Sequence, residues 1–469
     1  GLVQGNDGTV LASLTQPLLH PHYGAAPTTY SKPAPNHSWQ LDERADVGLL
    51  TRNIAIQGDG QSNQSGSGYG GHMMTMRGST VHASGIELYR MGQKGLLARY
   101  PFHWHLVRDA PGQYLENSSI HESYNRCVTV HGTNHVRVAD NVCHDFIGHG
   151  YFLENGNEKY NVFDHNLGVL ARKPAVPPAG SNPELPLETD YRIGQASNGP
   201  SVFWISHPSN TYTNNSAAGA DGSAYWYHLE STPFDPPPEP DGSNLPPDTI
   251  APTFAPFGVF DNNRAYGSRQ GFSSCLDGGG PVGMDVSDSL VTRLTTTSVG
   301  QGIWPCGSGH TQFVEAVVAN TENGMQAPQP MGFSDSLFVA YTPNNRPPRS
   351  QRAADVPWTA VTTYDQGFEF DNIHFVNYHE QAMSVFITAG GAGKSSGNRA
   401  RNLSFDNSPN IYRDIIDAWK PGGYASFWGE VIMSLDDSLI IADPQTSQPR
   451  ALVTPHPMMS DATCSRPTD

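Results

Sequence analysis

Asparagine recurs at nearly constant intervals in the first half of this 469-residue chain. Asn117, Asn141 and Asn166 are separated by 24 residues (141 − 117) and 25 residues (166 − 141). Short runs of strand-forming residues lie between them, among them RCVTVHG at 126–132 and GYFLENG at 150–156. A unit of this length cannot bury its own inner face, so successive units must stack on one another and share a core.

We therefore predict an all-β fold, a single-stranded right-handed parallel β-helix in which each turn carries two or three short strands. Asparagines at equivalent corners would stack and hydrogen-bond along the axis, and asparagine tolerates the left-handed backbone conformation that corners need. A β-sandwich, which also has short strands at regular spacing, is the alternative. Recurrence of asparagine at one offset favours the β-helix, because a sandwich does not require it.

Proline-rich stretches interrupt the repeat, and proline cannot donate to a strand ladder. We interpret them as long loop insertions that leave the coil, at about 172–200, 231–258 and 344–357. The predicted organisation is an N-terminal cap or extension at 1–44, the β-helix at 45–440 and a C-terminal tail at 441–469.

The chain is acidic, with a net charge of −17 from 27 basic and 44 acidic residues. Nucleic acid is excluded as an expected partner, because phosphate binding needs a basic footprint. No apolar run approaches the ~20 residues of a membrane helix. Of the five cysteines, Cys127 and Cys143 are placed to bridge neighbouring turns and Cys275 and Cys306 to pair, with free buried thiols as the alternative.

Two histidines, His103 and His105, flank Trp104 in the stretch RYPFHWHL. Residues two apart on a strand point to the same face, so both imidazoles look outward if Trp104 points into the core. Alignment of HWHLVRD, TVHGTN and FLENGN places His105, His131 and Glu154 at one position of three successive turns. Neighbouring parallel strands are ~4.8 Å apart, so these side chains are predicted to form one outer column.

Such a column supports two kinds of chemistry, and the sequence leaves both open. As an acid/base site, Glu154 would move the proton with His105, His131 or His103 as partner. As a metal site, the same four residues would bind Zn²⁺ or another transition metal, because imidazole suits those ions. Ca²⁺ prefers six to eight oxygen ligands and would have to bind at a separate site near the aspartates Asp140, Asp145 and Asp164.

Residues around the column are candidates for substrate binding. Arg99 and Arg126 would receive anionic groups, or else pair with Asp109 and Glu122. Three aromatic side chains, Tyr225, Trp226 and Tyr227, would form a platform for stacking sugars, and alternation on the strand would turn one or two of them inward. His228 would follow Glu154 in the column as a further substrate-binding residue.

The segments ADVGLLTRNIAIQGD (45–59), RYPFHWHLVRDAPGQYLENSSIHESYNRCVTVHGTNHVRVADNV (99–142) and IGHGYFLENGNEKYNVFDHNLGVL (147–170) resemble the β-helix region of the cell-migration-inducing hyaluronan-degrading proteins and of fibrocystin-like proteins. The resemblance implies a right-handed parallel β-helix in an extracellular protein. It also implies hyaluronan or a related glycosaminoglycan as substrate, with calcium as a requirement to test. The motif's histidines fall on His103 and His105, and its glycine-flanked histidine falls on His149.

Together these patterns predict a secreted polysaccharide depolymerase that acts on an acidic glycan such as hyaluronan, either a glycoside hydrolase or a polysaccharide lyase. A non-catalytic carbohydrate-binding or adhesion module is the alternative from a different class. In that case the histidines would be structural or would hold a metal.

Overall fold

The computed structural model describes residues 2–4, 6, 10–18, 22–173, 199–229, 251–274, 288–307, 309–327, 330–344, 358–363, 367–380, 383–388, 398–414, 432–434, 440–442 and 449–451. Strands, numbered β1 to β40 in chain order, dominate these residues, together with two 3-10 helices at Gln64–Gly66 and Pro252–Phe254. The predicted proline-rich insertions fall mostly outside the described residues, as does Cys275.

Three columns of parallel strands form the coil, and the chain visits each column once per turn. The first column contains β7 (His82–Ser84), β10 (Tyr114–Glu116), β13 (Arg137–Ala139), β16 (Val162–Asp164), β19 (Thr211–Thr213), β22 (Val259–Asp261), β25 (Asp288–Thr292), β28 (His310–Val314), β31 (Met331–Val339), β33 (Phe368–Val376), β35 (Asn398–Arg401) and β38 (Ile432–Ser434). The second column contains β5 (Ile54–Gln57), β8 (Ile86–Tyr89), β11 (Ser119–Ser123), β14 (Val142–Ile147), β17 (Leu167–Arg172), β20 (Ser216–Ala218), β23 (Arg264–Tyr266), β26 (Thr295–Thr297), β29 (Val317–Ala319), the second halves of β31 and β33, and β36 (Ser404–Asp406).

The third column carries the histidine pair. It contains β6 (Met73–Met76), β9 (Phe102–Asp109), β12 (Val128–Asn134), β15 (Tyr151–Leu153), β18 (Phe203–Ile205), β21 (Ser223–Tyr227), β24 (Gln270–Ser273), β27 (Gln301–Trp304), β30 (Asn323–Ala327), β32 (Trp358–Thr363), β34 (Met383–Thr388) and β37 (Tyr412–Asp414). Parallel pairing of these strands, turn upon turn, confirms the predicted parallel β-helix.

Stacked asparagines do line one corner of the coil. Asn141, Asn166, Asn215 and Asn263 form a buried ladder in which each side-chain NH2 group donates to the side-chain oxygen of the next asparagine at 3.0 Å. Asn117 is not a member, because Ser118 occupies the ladder position of its turn and donates its backbone N–H to Asn141. Asn117 sits one residue earlier, at the left-handed corner position (φ 51°) that Asp140 and His165 fill in the next two turns.

The core runs along the inside of the coil, and alternation on each strand selects its members. Trp104, Val130 and Leu153 point inward and are fully buried, as predicted. A disulfide joins Cys127 to Cys143 inside this core, which confirms that predicted pairing. It closes a loop of about 16 residues, a length for which cross-linking stabilises a fold by ~3 kcal/mol.

Short antiparallel hairpins accompany the coil, namely β1 (Leu2–Gln4) with β2 (Val10–Ala12), β3 (Thr28–Pro33) with β4 (Asn36–Leu41), and β39 (Ile440–Ala442) with β40 (Pro449–Ala451). The β3–β4 hairpin and the residues after it lie along the outside of the second column. We call residues 28–52 the N-terminal strap.

Contacts of the N-terminal strap follow the coil from its late turns back to its early ones. Trp39 donates its indole N–H to the Asp335 carbonyl at 2.6 Å, and Asp46 accepts from the Tyr266 hydroxyl at 2.7 Å. The Arg52 guanidinium then reaches the Asn117 carbonyl at 2.7 Å. The strap therefore ties together turns that are far apart along the axis.

Candidate functional site

The register of the third column brings the predicted residues together. His105 pairs with His131, and His103 pairs with Thr129, on the neighbouring strands β9 and β12. Strand β15 pairs Leu153 with Val130, and the ladder continues through the Glu154 N–H, which donates to the Val130 carbonyl at 3.1 Å. Glu154 therefore follows His131 at the same position of the next turn.

Four side chains converge on the outer face of this column, and we call His103, His105, His131 and Glu154 the His–Glu cluster. The Nδ1 atoms of His105 and His131 are 3.1 Å apart. The Oε2 atom of Glu154 lies 3.4 Å from Nδ1 of His131 and 3.7 Å from Nε2 of His103. His103 is almost fully buried, whereas His105 and His131 keep part of their surface exposed, so the cluster opens to solvent on their side.

Two groups that the sequence did not reveal fix the cluster. The Tyr100 hydroxyl, fully buried, donates to Oε1 of Glu154 at 3.1 Å. The Ala98 carbonyl lies 3.2 Å from Nδ1 of His103, so this nitrogen carries the proton and Nε2 faces the cluster with a lone pair. Both residues precede β9 in an irregular segment, where no periodicity could have signalled their position.

Burial sets the electrostatics of the cluster. It lowers the pKa of His103, His105 and His131, and the positive charges of neighbouring histidines lower the pKa values of His103 and His105 further. Burial raises the pKa of Glu154, while the charge of Arg126 and the Tyr100 hydrogen bond act in the opposite direction. The imidazoles are therefore neutral near pH 7, with lone pairs available.

A second buried glutamate supports the strand that carries His131. Glu158 accepts backbone N–H groups from Gly132 at 2.8 Å, from Asn155 at 2.9 Å and from Gly156 at 2.8 Å. Its carboxylate oxygens are thus occupied by the backbone, so Glu158 acts as a structural group beneath the cluster and not as its second carboxylate.

Arg126 is placed differently from the prediction. Its guanidinium is fully buried and lies over the Phe152 ring, 3.5 Å from the centroid, and near the Tyr100 ring at 5.5 Å. It is a buried cation behind Glu154, and the prediction that it meets an anionic substrate at the surface is wrong. Arg99 is exposed on the segment that precedes β9, next to Ala98.

The predicted aromatic platform is also corrected. Tyr225 and Tyr227 point into the core, and the Tyr225 hydroxyl donates to the Asn215 carbonyl at 2.9 Å. Trp226 faces outward but is only 1% exposed, in a cluster with Phe152 and Trp204.

His228 continues the outer column, since its N–H donates to the Ile205 carbonyl at 2.8 Å, yet it is fully buried and its ring stacks on Trp204 at 4.6 Å. The ring of the glycine-flanked His149 joins the same buried layer, 4.2 Å from Trp204. Its Nδ1 accepts the backbone N–H of Ser201 at 3.0 Å.

The aspartates of the predicted calcium site are not gathered. Asp140 pairs with His165 at 2.7 Å, Asp145 pairs with Arg172, and Asp164 accepts from Thr213 at 2.7 Å. Among the described residues, only His103, His105 and His131 bring three histidine, cysteine or carboxylate ligand atoms within 4.8 Å of one another.

The chain is thus a parallel β-helix protein with a polar, partly buried cluster on one outer sheet. Residues 68–272, which contain the whole cluster, match the family model described as CEMIP beta-helix. The matched part is less than half of the chain.

Named relatives align over the same part of the chain. "Cell surface hyaluronidase CEMIP2" of Homo sapiens is 36% identical over 252 residues, which cover 48% of this chain and 18% of that protein. "Cell migration-inducing and hyaluronan-binding protein" of Homo sapiens is 32% identical over 256 residues, with the same two coverages. Fibrocystin-L of Mus musculus is 26% identical over 426 residues, 79% of this chain and 9% of that protein. The chain therefore spans about a fifth of the length of the first two relatives.

Among solved structures, the A-module of the mannuronan C-5 epimerase AlgE4 from Azotobacter vinelandii aligns with 73% of this chain and 87% of its own. The identity is 10% and the TM-score is 0.31, too low to support an inference about activity. Within the described residues, no helix has the length and apolar character needed to cross a membrane.

Proposed function

We propose that this chain is an extracellular enzyme that depolymerises an acidic glycan such as hyaluronan, and that the His–Glu cluster is its active site. The observation that carries the proposal is the register of β9, β12 and β15, which places His105, His131 and Glu154 side by side on a solvent-facing sheet. Relatives named hyaluronidase and hyaluronan-binding protein support the choice of substrate.

The arrangement suits proton transfer at a sugar bound over β9, β12 and β15. A general acid or base must lie within hydrogen-bond reach of the proton that it moves. Glu154 has one oxygen held by Tyr100 and the other directed at His103 and His131. The neutral imidazole of His105, at the open side of the cluster, supplies a base that a substrate or a water molecule can reach.

The number of carboxylates bears on the two forms of cleavage that the sequence left open. Glycoside hydrolysis normally uses two carboxylates about 5–10 Å apart. The described part of the cluster offers Glu154 alone, because Glu158 is occupied by three backbone N–H groups. This observation supports eliminative cleavage, in which a base removes the proton beside the sugar carboxylate, as a second candidate mechanism. The first candidate is a hydrolysis in which a histidine takes the role of the missing carboxylate.

An acidic substrate must be received by a chain with a net charge of −17. Exposed charges more than ~8–10 Å apart are largely screened at physiological salt, so local cations matter more than the total. Arg99 is exposed and adjoins Ala98, whose carbonyl holds His103, so it is positioned to receive a sugar carboxylate.

An extracellular location fits the covalent chemistry of the chain. The Cys127–Cys143 disulfide is buried in the coil, and disulfides persist in oxidising compartments. The name of the relative cell surface hyaluronidase CEMIP2 agrees with that location.

The proposal is tested by viscosity loss and product size on hyaluronan, chondroitin, alginate and a neutral glucan. The wild type is expected to shorten at least one acidic polymer, and Glu154→Gln and His105→Ala to lose ~100-fold or more of that rate. His165→Ala, whose exposed ring pairs with Asp140 outside the strands of the third column, is the matched control and should retain full activity. Near-ultraviolet absorbance of the products separates elimination, which leaves an unsaturated sugar, from hydrolysis. If the folded wild type binds hyaluronan but shortens no polymer, the proposed enzymatic activity is refuted and an adhesion module is supported.

A further inference from the structure

We infer that the His–Glu cluster binds one divalent transition-metal ion, with His103, His105 and His131 as nitrogen ligands and Glu154 as the oxygen ligand. The inference rests on the proposed function in that it concerns the same four side chains, and it assigns their lone pairs to an ion in place of the direct proton transfer described for Glu154 and His105. It stands on geometry that can be tested by metal binding alone.

Distances within the cluster match a coordination shell. Zinc binds imidazole nitrogen at 2.0–2.1 Å in tetrahedral sites, so neighbouring ligand atoms there lie ~3.3 Å apart. The observed separations are 3.1 Å between His105 and His131, 3.4 Å between His131 and Glu154, and 3.7 Å between Glu154 and His103. The three histidine ligand atoms all lie within 4.8 Å of one another, so small rotations would place them on one ion, with Glu154 joining from the side of His131 and His103.

The hydrogen bonds around the cluster orient its lone pairs inward. The Nδ1 proton of His103 is directed at the Ala98 carbonyl, so its Nε2 presents a lone pair to the cluster. Tyr100 donates to Oε1 of Glu154 and leaves Oε2 for the same centre. Metal-binding imidazoles and carboxylates are typically held this way, with the second ring nitrogen or second oxygen fixed by an outer hydrogen bond.

Two polar atoms facing this centre are unsatisfied. Among the described residues, neither Nε2 of His103 nor Oε2 of Glu154 has a hydrogen-bond partner, although both are buried. A lone pair and a carboxylate oxygen 3.7 Å apart repel each other unless a cation lies between them. Buried polar groups in proteins are satisfied with few exceptions, and an ion at this point would satisfy both atoms at once.

The donor set selects the class of ion. Three imidazoles and one carboxylate suit first-row transition ions such as Zn²⁺ and Mn²⁺, whereas Ca²⁺ requires six to eight oxygen ligands. The partly exposed edges of His105 and His131 leave a side of the ion open to water or to a sugar oxygen. A bound ion would thus supply a polarising charge at the place where the substrate is expected.

The test measures metal content directly. Metal is removed from the full chain with a chelator, and the chain is then dialysed and titrated with Zn²⁺ or Mn²⁺. Elemental mass spectrometry measures the amount of bound metal per chain. The wild type should bind about one ion per chain at micromolar concentration, and Ca²⁺ should not displace it. Co²⁺ loaded into the same site should give the visible absorption of a site with nitrogen ligands.

Variants establish where the ion sits. His105→Ala, at the open edge of the cluster, should weaken Zn²⁺ and Mn²⁺ binding at least tenfold and abolish the Co²⁺ absorption, with an unchanged circular dichroism spectrum. Glu154→Gln, which keeps the side-chain shape, should also weaken binding at least tenfold. His135→Ala removes an exposed histidine whose ring pairs with Asp109, and this control should bind one ion as the wild type does.

The possible results separate this inference from the proposed function. One ion bound in the wild type and lost in His105→Ala supports the metal site, even if no polymer is cleaved. Equal metal binding by wild type and His105→Ala, or no stoichiometric binding at all, overturns it. Either of these two results leaves the proposed function intact, because polymer cleavage is measured separately.

Discussion

His105 and His131 place their Nδ1 atoms 3.1 Å apart although 26 residues separate them in sequence. The contact exists because one turn of the coil returns the chain to the same position of the neighbouring parallel strand, where β9 and β12 pair these two residues directly. Side chains that are distant in sequence become first neighbours, and a third turn adds Glu154. Four predictions follow from the contacts around this cluster and from the packing of the coil.

Tyr100→Phe should impair the cluster without unfolding the chain. The variant keeps the ring beside Arg126 and removes only the hydroxyl that donates to Glu154. A hydrogen bond to a charged group contributes ~1.5–3 kcal/mol, so the rate of polymer cleavage should fall roughly 10–100-fold. Steady-state kinetics measure the fall, and Tyr160→Phe, at an exposed tyrosine, is the control. Equal rates for Tyr100→Phe and wild type would show that Tyr100 does not orient Glu154.

Arg99→Gln should weaken the binding of acidic polymers and spare neutral ones. Arg99 is exposed beside the segment that holds His103, so it would meet a sugar carboxylate through a screened contact of ~1 kcal/mol. We expect KM for hyaluronan to rise about fivefold at low salt, with a smaller effect at high salt. Arg399→Gln, on β35 many turns away, is the matched control. An unchanged KM at low salt would remove Arg99 from substrate binding.

Stability should fall in acid through His207. This ring is buried, its Nδ1 accepts the Ser209 N–H at 3.1 Å, and burial together with the charge of Lys159 lowers its pKa to about 4. Between pH 6.5 and pH 4 the unfolded chain binds a proton at His207 that the folded chain does not, so the free energy of unfolding decreases as pH falls.

The size of the effect follows from the shift in the pKa of His207. A displacement from 6.5 to about 4 corresponds to about 3 kcal/mol, lost over that interval and not further below it. Chemical denaturation at pH 7, 5.5 and 4 measures the free energy of unfolding. For His207→Asn, which retains an acceptor for Ser209, this free energy should change less with pH than it does for the wild type. The same dependence of unfolding free energy on pH in wild type and in His207→Asn would contradict the prediction.

Trp39→Ala should loosen the late turns of the coil. Trp39 is buried against Val317, Leu337 and Val376, and it hydrogen-bonds the Asp335 carbonyl. Removal of a buried tryptophan costs ~3–5 kcal/mol, and repeat proteins lose stability locally.

Hydrogen exchange should therefore accelerate in β29, β31 and β33 more than in β9 and β12. Tyr69→Ala removes a ring that is 62% exposed and serves as the control. Equal protection of β29, β31 and β33 in Trp39→Ala and in the wild type would show that the N-terminal strap does not stabilise these turns.

Much of the site was predictable because two periodicities determine it. The repeat length stacks His105, His131 and Glu154, and the alternation of a strand turns Trp104, Val130 and Leu153 inward while the histidines face out. The same reasoning paired Cys127 with Cys143. These relationships are local in the coil, since each depends only on one turn and its neighbour.

Other features came from tertiary structure alone. Tyr100 and the Ala98 carbonyl reach the cluster from an irregular segment, and burial of Arg126 against Phe152 depends on packing between turns. Tyr225 belongs to a group of aromatic residues that suggested a sugar platform, yet its ring fills the core. Residue type alone therefore did not predict which way these side chains point.

The sequence by itself determined the coil and the column of side chains on it, because a repeat length and a two-residue alternation are written directly into the order of residues. Only the tertiary structure decided which polar atoms close around Glu154 and that residues 28–52 run back along the outside of the coil. Those contacts join segments without a common period, and their positions are set by the packing energy of the assembled chain.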